Sequence, residues 1–250
     1  LTALETGASS IWLSSDVDIS AVLPALFDQV LLPAIGIIID TPTDAGNVLA
    51  ALKGISFDAP LSINFTHSPT SLLAISRGLT LVDHPGVAGI FMADGWAFHN
   101  QGHTNLAELA AVLASVAAIL RAGHAAGHDL MALTSRISIT IALPADMFDG
   151  IAKLRAMRQL LNSFFSGLEL DVPALPRLIG RPSLRMMSLL DPEENIMRTT
   201  TALLGGAIGG ADAMAAVGHD YLFGESEAAR RLARMTQLMM IEESSLARSI

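Results

Sequence analysis

The sequence predicts an α/β protein built on parallel strands, and three observations carry that reading. Continuous β-branched runs at Ala34–Asp40 (AIGIIID), Val87–Met92 (VAGIFM) and Ile137–Leu143 (ISITIAL) suit strands buried on both faces. Segments with apolar residues at helical spacing alternate with those runs throughout. Hairpin signals such as Asn-Gly are missing, so the strands are expected to join through right-handed crossovers. Seven strands can be counted where a closed (β/α)8-type barrel has eight, so either one unit is degenerate between Gly54 and Gly86 or the sheet is open. Both alternatives place ligands at the carboxyl ends of the strands.

In chain order, Ser10–Ser14 is the first strand and Ala21–Val30 a helix that tolerates Pro24 near its start. After Ala34–Asp40, Thr43 or Asp44 caps a helix through Leu52 that Gly54 ends. Leu61–Thr66 is a strand and Thr70–Arg77 a short helix. Val87–Met92 delivers Asp94, His99 and His103 into a loop, followed by a helix over Asn105–Arg121 with Leu106, Leu109, Leu113, Val116, Ala117 and Leu120 on one stripe. Ile137–Leu143 leads to Asp146, which starts the helix Met147–Phe165, with Ile151, Leu154, Leu161 and Phe165 inward. Leu168–Gly180, with Pro173 and Pro176, reads as a loop. Arg185–Gly210 reads as a strand end, then a helix capped by Asp191 with Pro192 at its first position, stopped by the glycines at 205–206 and 209–210 before a strand at Ala211–Val217. A helix over Glu225–Ala247 closes the chain.

The 250 residues are expected to form one domain, 51% hydrophobic with only 5% aromatic, hence a core of closely packed aliphatic side chains. A net charge of −9 and no Lys/Arg run exclude nucleic acid as a partner. Leu109–Leu120 falls short of the ~20 residues of a membrane span. Leu1–Ser10 does not resemble a signal peptide, so a cytoplasmic location is expected. Because the first residue is not Met and the last lies inside a helical pattern, a piece of a longer chain is expected.

Asp40 and Asp94 each close an apolar strand and could hold a divalent cation at a barrel mouth, as a metal-dependent lyase would; capping or rim hydrogen bonding is the plainer role. His99 and His103 are separated by Gly102 in a loop, which argues against zinc. His124 and His128 flank Gly127 at a helix end and suit the dipole there. The glycines at 205–210 lack the context of a phosphate loop, and the chain has neither a G-x-S-x-G elbow nor a thiol.

Three stretches, ADGWAFHNQGHTNLAELA (93–110), RISITIALPADMFDGIAKLRAMRQLL (136–161) and RMMSLLDPEENIMRTTTALLGGAIGGADAM (185–214), together resemble the barrel domain of the methylmalonyl-CoA mutase family. RRLARMTQLMMIEESSLAR (230–248) and LETGASSIWL (4–13) add to the likeness. The resemblance implies a TIM-like parallel barrel, with the unit in the 54–86 interval shortened. It also implies carbon-skeleton isomerisation of methylmalonyl-CoA and succinyl-CoA through an adenosylcobalamin radical held away from water. The family's Asp-x-His-x-x-Gly cobalamin motif is missing from residues 1–250, so the resemblance assigns the cofactor to a partner chain or a further domain. Catalytic members carry Gly-Tyr-His before the helix that starts near Asn105. Matching Gly102 and Glu108–Ala110 sets Ala97 at that histidine, with His99 two residues away beside Phe98. ADGWAFH is instead similar to the family's small, non-catalytic subunit.

A structural partner in a heterodimer with a large catalytic mutase subunit is therefore the expected role. Asp94 and His99 are the barrel-mouth candidates, and no residue is assigned to catalysis or to a metal. The family's Arg-x-Ser strand, which contacts CoA in catalytic chains, matches Arg136 and Ser138, which could bind an acyl-CoA phosphate or serve only the barrel rim and interior. The rival readings are an active acyl-CoA mutase barrel and a metal-dependent lyase using Asp40 and Asp94.

Overall fold

The computed structural model describes residues 2–5, 7–15, 19–28, 30, 35–40, 45–53, 63–67, 72–84, 87–172 and 174–244. These residues divide into two compact units, 1–92 with 119–137 and 93–118 with 138–250. Both are α/β with parallel ladders, the class the sequence predicts.

In the first unit, β1 (Ser10–Ser14), β2 (Gly36–Asp40), β3 (Ile63–His67) and β4 (Val87–Asp94) pair in sequence order, all parallel. Ile37, Ile38 and Ile39 are all buried, which requires cover on both faces of β2. The helices are α1 (Thr2–Glu5), α2 (Leu23–Leu26), α3 (Ala45–Lys53) and α4 (Leu72–Leu79). The helix expected over Ala21–Val30 contracts to the single turn of α2. Pro24 suits only its start, and buried Leu23 and Phe27 anchor it. The caps proposed at Thr43 and Asp44, and most of the interval 54–71, lie outside the described residues. A further turn, α7 (Leu130–Thr134), escapes periodicity and is set by Asp129, whose carboxylate accepts the N–H groups of Met131 and Ala132.

The second unit holds α5 (Gly95–Asn100) and the start of α6 (Asn105–Ala125), then β5 (Ile137–Leu143), α8 (Met147–Gly167), β6 (Arg177–Pro182), α9 (Asn195–Gly209), β7 (Ala213–Met214) and α10 (Glu227–Glu242). β5 is buried at every position and matches its predicted bounds. α6 runs 21 residues, longer than predicted, and is long and apolar enough to cross a membrane by length and composition. Its inward stripe of Leu109, Val112, Val116, Ile119 and Leu120 together with buried Glu108 is that of a core helix. Leu106, expected on that stripe, is 79% exposed.

The sequence reading misplaces the sixth strand. It lies at Arg177–Pro182, overlapping the end of the expected loop, and pairs with β5 from Ser138↔Arg177 to Leu143↔Pro182. Prolines at 173, 176 and 182 masked a short run whose Leu178 and Ile179 are buried. The strand end expected at Arg185 is a turn of 3₁₀ helix, Leu184–Met186.

α9 begins at Asn195 rather than after Asp191, because the Asn195 side chain organises the turn before it. Its Oδ1 accepts the Ser188 N–H at 2.8 Å, and its Nδ2 donates to the carbonyls of Ser188 (3.0 Å) and His219 (2.9 Å). Gly205 and Gly206 sit within the helix rather than ending it. A Cβ on Gly205 would come within 2.8 Å of the Met147 carbonyl oxygen, so this glycine allows α9 to lie against α8. Gly210, at φ 84°, is the left-handed stop.

Candidate functional site

The site grows from the carboxyl end of β4, within the second unit. Asp94 turns the chain: its Oδ1 accepts the Ala97 N–H at 3.0 Å and the Thr140 hydroxyl of β5, which converts the expected loop into α5. Trp96 follows, its backbone N–H on Thr140 Oγ1 (3.3 Å) and its indole N–H on the Pro182 carbonyl (2.8 Å). The Arg181 guanidinium stacks 3.7 Å from the Trp96 ring centroid.

One turn on, His99 is buried. Its Nε2 lies 3.0 Å from Ser183 Oγ, and its Nδ1 is 3.1 Å from Glu108 Oε2 without hydrogen-bond alignment. Glu108 is fully buried on α6 and takes its real partners elsewhere. Oε2 accepts from Lys153 Nζ of α8 at 2.8 Å, and Oε1 accepts the Ala142 N–H of β5 at 2.8 Å. Lys153 also donates to Asn105 Oδ1 at 3.2 Å, and Asn105 donates to Asp149 Oδ2 at 2.7 Å. Burial holds the Lys153 ammonium below its ordinary pKa, opposed by the attraction of Glu108 and, after it, Asp149.

The chain after β6 is clasped to α5. Leu184 N–H donates to Asn100 Oδ1 (3.0 Å), and Arg185 Nη1 donates to the carbonyls of His99 (3.3 Å) and His103 (2.9 Å).

Ser183, His99 and Glu108 have the order and separations of a nucleophile, base and acid, but the contacts assign them to the scaffold. Ser183 is 2% exposed, and its oxygen already accepts the Arg185 N–H as a cap. Glu108 is neutralised by Lys153 rather than aligned on the imidazole.

Of the sequence-predicted residues, Asp94 and His99 come together on α5. His103 is exposed and stacked on Phe98 at 3.8 Å between centroids. Asp40 ends β2 in the first unit, where its Oδ2 accepts from Ser14 at 3.4 Å and its carbonyl from Ser15 N–H. Arg136 occupies the turn before β5, its carbonyl accepting the N–H groups of Ile90 and Phe91, and Ser138 is buried in β5. No group of three or more His, Asp or Glu residues able to hold a metal ion occurs among the described residues. Sequence reasoning missed Glu108 and Lys153. Their signal was a charge inside an apolar stripe, in AELAAVL and GIAKLRAM.

The profile of the family described as methylmalonyl-CoA mutase matches residues 82–250. The methylmalonyl-CoA mutase small subunit of Streptomyces virginiae is 32% identical over an alignment covering 100% of this chain and 44% of that protein. A probable methylmalonyl-CoA mutase small subunit of Mycobacterium bovis is 35% identical over 62% of this chain and 26% of its own length. The methylmalonyl-CoA mutase of Escherichia coli is 28% identical over 62% and 22% respectively. The chain thus spans less than half the length of each of these relatives.

Proposed function

The chain belongs to the methylmalonyl-CoA mutase family, and on that premise we propose that it is the barrel portion of a small subunit, a structural partner to a large catalytic mutase subunit in a cytoplasmic heterodimer. The observation that carries this reading is the pair Trp96–Ala97. The match on Gly102 and Glu108–Ala110 sets it at the family's Tyr-His, while the indole is committed to Pro182 and Arg181 and the nearest imidazole in sequence, His99, is held by Ser183. A methyl group at position 97 can neither donate a proton to nor polarise a thioester carbonyl.

The family is generally cobalamin-dependent. The residues of this site do not fit that group. His99 is buried and engaged, His103 is stacked on Phe98, and Asp-x-His-x-x-Gly does not occur in residues 1–250. Adenosylcobalamin is accordingly assigned to the partner or to a further domain. Any acyl-CoA contact made by this chain is assigned to Arg136 and Ser138, on the strength of the RIS match.

Co-expression with a large mutase subunit tests the reading. The expected result is a complex with one copy of each chain on size-exclusion chromatography, with turnover of methylmalonyl-CoA only when the large subunit and adenosylcobalamin are present. A chain that elutes alone in every mixture, or one that turns over substrate without its partner, overturns it.

A further inference from the structure

Lysine occurs only at positions 53 and 153 of the sequence, and apart from histidine every other basic side chain is arginine. Of these two cations only lysine can give up a proton and become a nucleophile, and burial already pushes Lys153 in that direction. Its Nζ, buried in the second unit, bonds two side chains at the start of α6, Glu108 Oε2 at 2.8 Å and Asn105 Oδ1 at 3.2 Å.

The Asn105 amide stands between core and solvent. Its carbonyl oxygen faces the buried ammonium, while its Nδ2 donates to the exposed carboxylate of Asp149 at 2.7 Å. Turned over, the amide would set donors against a donor on one side and an oxygen against a carboxylate on the other, so its partners fix which end is nitrogen. With a C=O bond of about 1.2 Å, Asn105 Cγ lies no more than about 4.4 Å from Nζ, and an approach of about 1 Å reaches the ~3–3.5 Å of a near-attack contact.

We propose that this cluster is a site of covalent self-modification, an amide cross-link between Lys153 Nζ and Asn105 Cγ formed with Glu108 as the base. Glu108 Oε2 takes one proton from the ammonium. The freed electron pair makes the Nζ–Cγ bond, a second proton passes from Nζ to Nδ2, and the Cγ–Nδ2 bond breaks to release ammonia on the solvent side, beside Asp149. Nothing is oxidised or reduced, and no co-reactant is consumed. Burial favours the first step, which replaces an ion pair by two neutral groups in surroundings of low dielectric. The fold supplies proximity to an otherwise inert amide, and well-oriented pairs reach effective molarities of about 10⁵–10⁸ M. The unreacted chain carries the ion pair described above, and the bond forms from it, clamping α6 to α8 across 48 residues of chain. The cross-link is independent of the subunit reading, since its test contains no mutase subunit and either can fail alone.

Intact-mass spectrometry of the whole chain, held folded for days, tests it. A species lighter by one ammonia is expected to accumulate in the folded protein and not in urea, and trypsin should release a branched peptide that joins the Asn105 and Lys153 segments. Asn105→Ala should abolish both while its circular dichroism stays that of a folded chain. Glu108→Gln should slow the loss by about a hundredfold or more, as removal of a general base does. The parent and Asn105→Ala decide the bond even where Glu108→Gln fails to fold. An unchanged mass in the folded parent overturns the proposal. So does a loss of ammonia without the branched peptide, the mark of a succinimide at an asparagine, or a loss that proceeds equally in urea or in folded Glu108→Gln.

Discussion

α8 carries two ion pairs within two turns, and they differ in almost everything but chemistry. Lys153 meets Glu108 with side chains 1% and 0% exposed, whereas Arg158 meets Asp212 at the same 2.8 Å with side chains 33% and 39% exposed. Solvent screens the second pair, while burial shields the first. The buried pair gains little net stability by existing, since desolvation offsets much of its attraction, but either member left alone is an uncompensated charge in the core. The exposed pair is the reverse, dispensable as a charge pair. Its worth lies in Asp212 Oδ2, which accepts the Leu178 N–H of β6 at 2.7 Å.

The sharpest way to break this contrast is to remove one buried partner. Lys153→Ala is expected to destabilise the fold by about 3–5 kcal/mol, read from urea midpoints, while Glu108→Leu with Lys153→Met together should cost far less than the sum of the two single changes. Additive losses would show that the pair is not coupled. Gly205→Ala, on α9 where it meets the start of α8, sets a reference. Its Cβ meets the Met147 backbone rather than a side chain that could swing away, for an expected cost of about 1–3 kcal/mol by thermal melt.

A pH series isolates the burial of Lys153. Its folded pKa is lowered from 10.5 chiefly by burial, so between that lowered value and 10.5 the unfolded chain binds more protons. Stability from this group therefore rises with pH across the window, by at most about 1.4 kcal/mol per pH unit, and below the window the cost of burying the ammonium is fully present. Lys153→Met should abolish that rise in the urea midpoint, and an unchanged slope would contradict it. Arg158→Ala should cost about 1 kcal/mol, with the share owed to Asp212 fading in high salt and the share owed to its bond with the Gly210 carbonyl persisting.

The same contrast explains what could be read in advance. β5 was legible to the residue because ISITIAL is buried on both faces and nothing interrupts it. The Asp146 cap was legible because its side chain bonds the N–H groups of Phe148 and Asp149 locally. β6 was not, since its prolines and Gly180 are turn signals that long-range pairing overrides. Asp191 carried the right chemistry for a cap, yet Asn195 won through contacts with Ser188 and with His219, the latter 24 residues on and outside any local window. At the site, Asp94 and His99 were visible as polar residues after a strand. Glu108 and Lys153 were missed because their partnership spans 45 residues, and the local sign of each was a single charge set among apolar residues.

Asn195 has one more consequence, which concerns chemical ageing. Its amide nitrogen donates to two carbonyls while its oxygen accepts an N–H, so every role depends on which end is nitrogen. Deamidation to aspartate leaves the shape nearly unchanged but replaces the donor with a second anionic oxygen, set against the carbonyls of Ser188 and His219. A change of one mass unit at a buried position would therefore undo the turn that launches α9.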